Sequence, residues 1–184
     1  MELKRVIEKR HSVRKFMSKK PDWRKVVEAI DAANRAPSAG NIQTLKFILV
    51  QDENKIFELA EAAGQDFINT AHYVVVVCSN NVQTVRSYDE RGDIYCKQQA
   101  GAAIENFLLR IVDLGLASCW VGAFFDDQVK RILQVPEDVS VEALLPVGFE
   151  VGKGKSRKKL DLDNFLYFDV WKNKFMKAKI RPKT

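Results

Sequence analysis

Residues 98–114 read QQAGAAIENFLLRIVDL, and this stretch is the strongest single indicator of the fold. Its apolar side chains recur from Ala102 to Val112 at the spacing of a wide helical stripe, which predicts a long and mostly buried helix. Gly115 follows at once and is a residue that commonly ends helices. We therefore expect this helix to lie at the centre of the domain.

Two short apolar runs precede the central helix, at residues 47–50 and 74–78. Both are rich in β-branched side chains and are continuous rather than alternating, which predicts strands that are covered on both faces. Helices and strands alternate along the rest of the chain. The other predicted helices are 22–36, 55–63 and 126–133, the last with an Asp cap, and the other predicted strands are 117–121 and 143–149.

The composition is that of a globular protein. The chain has 184 residues, 46% of them hydrophobic and 29% charged, which suffices for one domain with a substantial core and excludes a disordered chain. No apolar run approaches the roughly 20 residues of a membrane-spanning helix. The charged start, Met1 to Arg5, does not resemble a secretory signal. We therefore expect a cytoplasmic protein.

The sequence offers little to a metal site or a covalent mechanism. Three widely spaced cysteines (Cys78, Cys96 and Cys119) and two histidines occur without a CxxC or HExxH motif, and GxSxG is also absent. Cys78 and Cys119 lie in apolar runs, where a thiol usually acts as a small hydrophobic group. We expect no disulfide scaffold, no metal and no catalytic nucleophile.

Positive charge is concentrated near the C-terminus. Residues 152–184 hold 11 Lys and Arg against 3 Asp and Glu, a net charge of +8, whereas residues 1–151 carry a net charge of −2. We expect one domain over residues 1–171 and a basic tail over residues 172–184. The tail is either a solvated terminus or a binding element for nucleic acid or an acidic partner, and the charge distribution favours the solvated terminus.

A cluster of possible anion ligands lies near the N-terminus. Residues 9–16 read KRHSVRKF and follow a short helix. An Arg guanidinium matches the geometry of phosphate oxygens, and Ser adds a small donor that can approach closely. The cluster can therefore bind an anion. For this motif alone, a solvent-exposed basic loop is an equally good interpretation.

A second motif, PSAGNIQ at residues 37–43, suits a flat ligand. Its small residues let the backbone approach a ring, and its Ser, Asn and Gln side chains supply donors and acceptors for a heteroaromatic edge. By itself, the motif is more typical of a turn that leads from a helix to a strand.

A third motif, GFEVGKGKSR at residues 148–157, contains Gly-Lys-Ser but is not a P-loop. A P-loop requires glycine at the position that Phe149 occupies. No GxGxxG sequence follows a strand either, so a Rossmann site is not indicated. Lys155 and Arg157 remain as candidate phosphate ligands.

Taken together, these motifs resemble the FMN-dependent nitroreductase family. The resemblance rests on RHSVR at 10–14, PSAGNIQ at 37–43, GLASCWVG at 115–122 and KSR at 155–157, whose order and spacing agree over essentially the whole chain. It implies an α+β fold in which helices flank a central, mainly antiparallel sheet. It also implies a homodimer with FMN at the subunit interface and a C-terminal segment exchanged between subunits. The aromatic stretch at 164–171 is the candidate for that exchange.

The resemblance also assigns roles to residues. The positions that hold the FMN phosphate and ribityl chain are matched by Arg10, His11 and Ser12, and the distal phosphate ligands by Lys155 and Arg157. A basic position near the pyrimidine edge is matched by Arg14, and the stretch along one face of the isoalloxazine by Trp120, Val121 and Gly122. A segment donated by the other subunit is matched by Pro37, Ser38, Ala39 and Asn41. The glutamate that precedes glycine in longer members is absent, and Gly122 stands at or near its position. No residue is expected to act as a catalytic acid or base.

The expected activity is that of an NAD(P)H oxidoreductase. By resemblance, NADH or NADPH would reduce FMN at N5, and a nitroaromatic, quinone or similar small molecule would then accept the electrons in a ping-pong cycle. Two alternatives remain open. One is a specialised flavoenzyme of the same fold, such as a dehalogenase, with residues 82–96 as a lid. The other is a non-catalytic protein whose basic tail binds nucleic acid or an acidic partner.

Overall fold

The computed structural model describes residues 1–152, 154 and 158–176. Its helices are α1 (Leu3–Lys9), α2 (Trp23–Ala33), α3 (Glu53–Ala63), α4 (Val82–Tyr88), α5 (Arg91–Asp113) and α6 (Asp126–Leu133). Its strands are β1 (Leu45–Val50), β2 (Tyr73–Ser79), β3 (Ala117–Ser118) and β4 (Ser140–Gly148). Short 3-10 turns at Ala39–Asn41, Asp66–Thr70 and Leu162–Asn164 complete the regular structure of these residues.

The four strands form one sheet in the order β1-β2-β4-β3, and every neighbouring pair is antiparallel. Helices cover both faces of the sheet, so the predicted α+β architecture is confirmed. The strand β2 is buried along its whole length, as its uninterrupted apolar sequence predicts. The strand β1 lies at the edge and is largely half-buried, so the expectation that both strands are fully covered is wrong for β1.

Alternate side chains of β2 serve two different cores. Tyr73, Val75 and Val77 pack with α2 and α5, whereas Val74 and Val76 pack on the opposite face with α3 and α6. A strand whose two faces both enter a core cannot show a polar–apolar alternation. This explains why its sequence is continuously apolar.

The central helix α5 begins at Arg91, seven residues before the predicted start. Ile104, Phe107 and Ile111 have no exposed surface and fill the core beneath α2. The helix ends as predicted, because Gly115 follows with a φ of +74°.

Two local predictions are corrected. The predicted strand at 117–121 is paired continuously only over Ala117–Ser118, and Val121 forms a separate bridge to Leu144. The helix α6 has no Asp cap, because Phe125 occupies the N-cap position and Asp126 already lies in the first turn. A carboxylate in the first turn still interacts favourably with the helix dipole. Within the described ranges, no helix is both long and apolar enough to cross a membrane.

Candidate functional site

An extended N-terminal segment, residues 10–17, docks onto the end of the sheet. The Val13 N–H donates to the Ser118 carbonyl at 3.0 Å, the Val151 N–H donates to Lys15 at 3.1 Å, and the Met17 N–H donates to Phe149 at 2.8 Å. These bonds join parts of the chain that are more than 100 residues apart. The basic motif and the GLASCWVG motif are thereby held side by side.

The side chains of this segment fall into two groups. Val13 and Phe16 are buried in a small cluster with Ala117, whereas Ser12 and Arg14 are exposed and lie close to Cys119. Burial raises the pKa of the Cys119 thiol, and the Arg14 guanidinium and the Ser12 hydroxyl partly offset that rise. Ser12 and Arg14 thus present a hydroxyl and a cation beside the 118–122 stretch.

Arg10 and His11 both have protein partners. The Arg10 Nε lies 3.3 Å from Glu105 Oε1 on α5. The His11 ring lies between the Lys9 carbonyl oxygen and Glu150 Oε1, each 2.8 Å from a ring nitrogen. These hydrogen bonds raise the pKa of His11.

Among the described residues, the 120–122 stretch offers two open backbone donors, the N–H groups of Trp120 and Gly122. The Val121 N–H and carbonyl both pair with Leu144 at 3.0 Å, so this N–H is committed to the sheet. Among the described residues, the N–H of the exposed Gly122 has no hydrogen-bond acceptor. Trp120 is 42% exposed and lies against Gly101 of α5. A flat ligand here would meet an indole ring and a free N–H.

The 37–43 loop is held by hydrogen bonds among its own residues and lies against α5 and close to Tyr88 of α4. The Gln43 amide nitrogen donates to Ser38 Oγ and Asn41 Oδ1, both at 3.3 Å. Gly40 has a φ of +56°, a conformation that favours glycine, and a Cβ there would lie 2.5 Å from the Tyr88 hydroxyl.

The structure therefore brings part of the predicted site together. Ser12, Arg14 and the 120–122 stretch are neighbours, whereas no hydrogen bond or ion pair of the described residues joins the Pro37, Ser38, Ala39 and Asn41 group to them. Lys155 and Arg157 lie outside the described residues. No cluster of side chains suited to a metal ion occurs within the described ranges.

The available donors fit FMN. Guanidinium and hydroxyl groups at Arg10, Ser12 and Arg14 suit a phosphate and a polar ribityl chain, and the open Gly122 N–H suits a ring nitrogen that accepts a hydrogen bond.

The model of the nitroreductase family matches residues 7–68 and 57–149 of the chain. This span contains the docked segment, the 37–43 loop and the 120–122 stretch. The chain belongs to the nitroreductase family.

Individual relatives agree with this assignment. A protein of Archaeoglobus fulgidus, provisionally named an NADH dehydrogenase/NAD(P)H nitroreductase, is 30% identical over 79% of this chain and 83% of its own length. The crystal structure of a nitroreductase family protein from Clostridium novyi NT is 30% identical, covers 98% of this chain and 100% of its own, and superimposes with a TM-score of 0.77. The structure of an FMN-dependent nitroreductase from Clostridium difficile R20291 is 26% identical, covers 90% of this chain and 98% of its own, and has a TM-score of 0.78. An iodotyrosine deiodinase from Thermotoga neapolitana is 23% identical over 77% of this nitroreductase-family chain and 84% of its own.

Sequence reasoning missed two residues that the structure adds to the site. Glu105 and Glu150 pair with Arg10 and His11, whereas Tyr88, which lies close to Gly40, belongs to the predicted lid segment at 82–96. The available signal was weak. Glu105 interrupts the apolar stripe of α5, and Glu150 is an acidic residue within a basic stretch, but neither feature indicates which residue it would pair with.

Proposed function

We propose that this nitroreductase-family chain is an FMN-dependent NAD(P)H oxidoreductase that reduces a nitroaromatic, quinone or similar small acceptor. The carrying observation is the 3.0 Å hydrogen bond between Val13 and Ser118, which places the basic motif beside the 120–122 stretch. A phosphate site and a ring site side by side match the two ends of a flavin mononucleotide.

Each residue in this proposal has a separate task. FMN, when bound, supplies the two-electron carrier that takes hydride from NADH or NADPH at N5 and delivers it to the acceptor in a ping-pong cycle. Arg10 and Ser12 bind the phosphate and ribityl groups, and Gly122 donates its N–H to the ring. The Arg14 cation favours negative charge on the pyrimidine edge and thereby raises the reduction potential.

We also propose a homodimer with composite sites. The 37–43 loop has small residues and amide groups at its surface but no bond to Ser12 or Arg14 of its own chain within the described residues, which fits donation to a partner's site. The C-terminal segment exposes large apolar side chains, including Phe165 at 59% and Trp171 at 78%. Burial against a partner would remove this apolar area from water.

Anaerobic absorption spectroscopy tests the activity directly. The protein is mixed with FMN, separated by gel filtration, and then titrated with NADH or NADPH. We expect a flavin band that co-elutes with a dimer and bleaches on addition of the nicotinamide. A colourless protein that takes up no FMN would contradict the proposal, and salt-sensitive nucleic-acid binding would then become the test of the basic tail.

Two substitutions test the phosphate site. Arg10→Ala combined with Ser12→Ala should weaken FMN binding about a hundredfold, because a charge-assisted and a neutral hydrogen bond are lost. Arg24→Ala is the matched control, because Arg24 is exposed and contacts its sequence neighbours Asp22, through an ion pair, and Trp23, through a cation–π contact. Equal FMN dissociation constants for the double variant and the control would refute the assignment.

Reductive dehalogenation of an iodinated phenol is a second candidate. The observation that favours it is the edge-to-face pair of Tyr88 and Tyr95, 5.3 Å between ring centroids, beside Gly40 of the 37–43 loop. Such an aromatic wall suits a phenolic ring. Reduced holoprotein would release iodide as two electrons and a proton replace the C–I bond by C–H. If the protein reduces a nitroaromatic but releases no iodide, the dehalogenase candidate is rejected and the NAD(P)H nitroreductase activity is retained.

A further inference from the structure

The contact between His11 and Glu150 connects the N-terminal segment to the residues that follow β4, near the predicted phosphate site. His11 lies between Arg10 and Ser12, while Glu150 follows β4. Glu150 Oε1 lies 2.8 Å from the His11 Nε2 and accepts the Gly154 N–H at 2.9 Å. Gly154 directly precedes Lys155 in the sequence. One carboxylate oxygen therefore links the N-terminal segment that carries Arg10 and Ser12 to the backbone at Gly154.

The surroundings of the His11 ring favour its charged form. Nδ1 faces the Lys9 carbonyl oxygen, which can only accept a hydrogen bond. Nε2 faces Glu150 Oε1, which already accepts from Gly154 and acts as an acceptor here as well. Both contacts are hydrogen bonds only if both ring nitrogens carry protons, and that form is the imidazolium.

Gly154 is the tightest point of this contact. A Cβ at Gly154 would lie 2.2 Å from Glu150 Oε1 and 2.4 Å from His11 Nε2. Both atoms are at the ends of side chains about a quarter exposed, so they can move aside without disturbing the core. A methyl group at this position would therefore break the contact selectively.

The charges around His11 are mixed. Glu150 favours the imidazolium, and Arg10 opposes it. Glu8 and Lys9 of α1 line the same cavity, of about 660 Å³, to which the end of α5 contributes the uncharged Val112. The Glu150 carboxylate is therefore the closest charged group to the His11 ring.

We propose that His11 and Glu150 are positioning residues that hold the segment carrying Arg10 and Ser12 against the backbone at Gly154 through a charged hydrogen bond, so that FMN retention depends on the protonation of His11. This proposal rests on the proposed function. It gives His11 a role behind the phosphate ligands rather than among them, since both of its ring nitrogens are occupied by protein acceptors.

The pH dependence has a defined sign. The hydrogen bonds to Lys9 and Glu150 raise the pKa of His11 above its ordinary value of 6.5, so the contact is complete below that value and is lost as the pH rises through the raised pKa. A phosphate monoester becomes a dianion above a pKa of about 6. FMN affinity should therefore be highest just above the phosphate pKa and fall toward alkaline pH.

Fluorescence titration of the full-length apoprotein with FMN, from pH 6 to pH 9, measures this dependence. We expect Glu150→Gln and Gly154→Ala to raise the FMN dissociation constant about tenfold near neutral pH, the effect of losing one charge-assisted hydrogen bond. Both variants should also flatten the alkaline fall. Glu58→Gln is the control, because it removes the same charge at an exposed position on α3, and its FMN dissociation constant should match that of the native protein.

Proton NMR of the apoprotein gives a measurement independent of FMN. The chain has two histidines, so His72→Gln leaves the His11 ring signals assigned. We expect His11 to titrate above pH 6.5 and to titrate at lower pH in the Glu150→Gln variant.

The outcomes separate the two proposals. If the native protein binds no FMN at any pH, the proposed function fails, and this inference fails with it. If it binds FMN, but Glu150→Gln and Gly154→Ala bind as tightly as Glu58→Gln, only the inference is overturned. A His11 that titrates at or below pH 6.5, or that does not respond to Glu150→Gln, overturns it as well.

Discussion

The N-terminal segment (residues 10–17) and the C-terminal segment (residues 158–176) differ in what holds them. The first is fixed to the sheet by backbone hydrogen bonds to Ser118, Phe149 and Val151, and it buries Val13 and Phe16. In the second, every hydrogen bond, ion pair and aromatic contact recorded for the described residues joins two members of the segment itself.

This difference separates two sources of stability. The N-terminal segment completes the core of a single chain. The C-terminal segment keeps a local shape, for example by packing Tyr167 against Trp171 at 4.7 Å between ring centroids, but leaves its apolar side chains in water. The proposed dimer would supply a surface for these side chains, and the comparison predicts effects of different kinds in the two segments.

Phe16→Ala should have the largest effect on stability. Phe16 is 6% exposed, and a Cβ on Gly148 would come within 2.8 Å of its ring, so the ring fills the space above this glycine. Removal of a buried aromatic ring costs about 3–5 kcal/mol. We expect this loss in urea unfolding at every protein concentration, because the contact lies within one chain.

Phe57→Ala is the matched control, because Phe57 is 50% exposed on α3. We expect it to change the free energy of unfolding by less than about 1 kcal/mol. If Phe16→Ala unfolds like this control, the N-terminal segment is not part of the core, and the comparison is wrong.

Trp171→Ala should weaken subunit association instead. A buried Trp at a protein interface contributes about 2 kcal/mol or more, which corresponds to a roughly thirtyfold weaker dimer. Sedimentation equilibrium should show this change, while the unfolding of dilute monomer stays as in the native protein. An unchanged dimer constant would mean that the C-terminal segment has another partner.

The sequence predicted those parts of the fold that depend on local pattern. The stripe in α5, the continuous apolar run of β2 and the anion-binding residue types of the 10–14 motif were all visible in the sequence. Contacts between residues that are distant in the sequence were not visible in it. Glu150 meets His11 across 139 positions, and the start of α5 at Arg91 is stabilised by packing against α4, which no periodicity reports.

The two segments also show why residue roles were harder to predict than residue types. The motif at 10–14 predicted donors, but the extended backbone turns Val13 into the core and leaves Ser12 and Arg14 exposed beside Cys119. Alternation along a strand decides these directions. Because the motif lies outside every predicted element, these side-chain directions could not be assigned from its residue types.

Ser118→Ala should produce the smallest change and refines the comparison at the point where the N-terminal segment docks. The Ser118 carbonyl holds Val13, but its buried hydroxyl has no hydrogen-bond partner within the described part of the chain. Substitution by alanine keeps the backbone contact and removes an unsatisfied polar group, so we expect unfolding stability to be unchanged or to rise by up to about 1 kcal/mol. Ser79→Ala is the matched control, since Ser79 is equally buried but donates to Glu142 at 2.5 Å, and we expect it to destabilise by about 1–2 kcal/mol. If both variants lose stability equally, the Ser118 hydroxyl has a partner, and its side chain contributes to the docking of the N-terminal segment as well as its backbone.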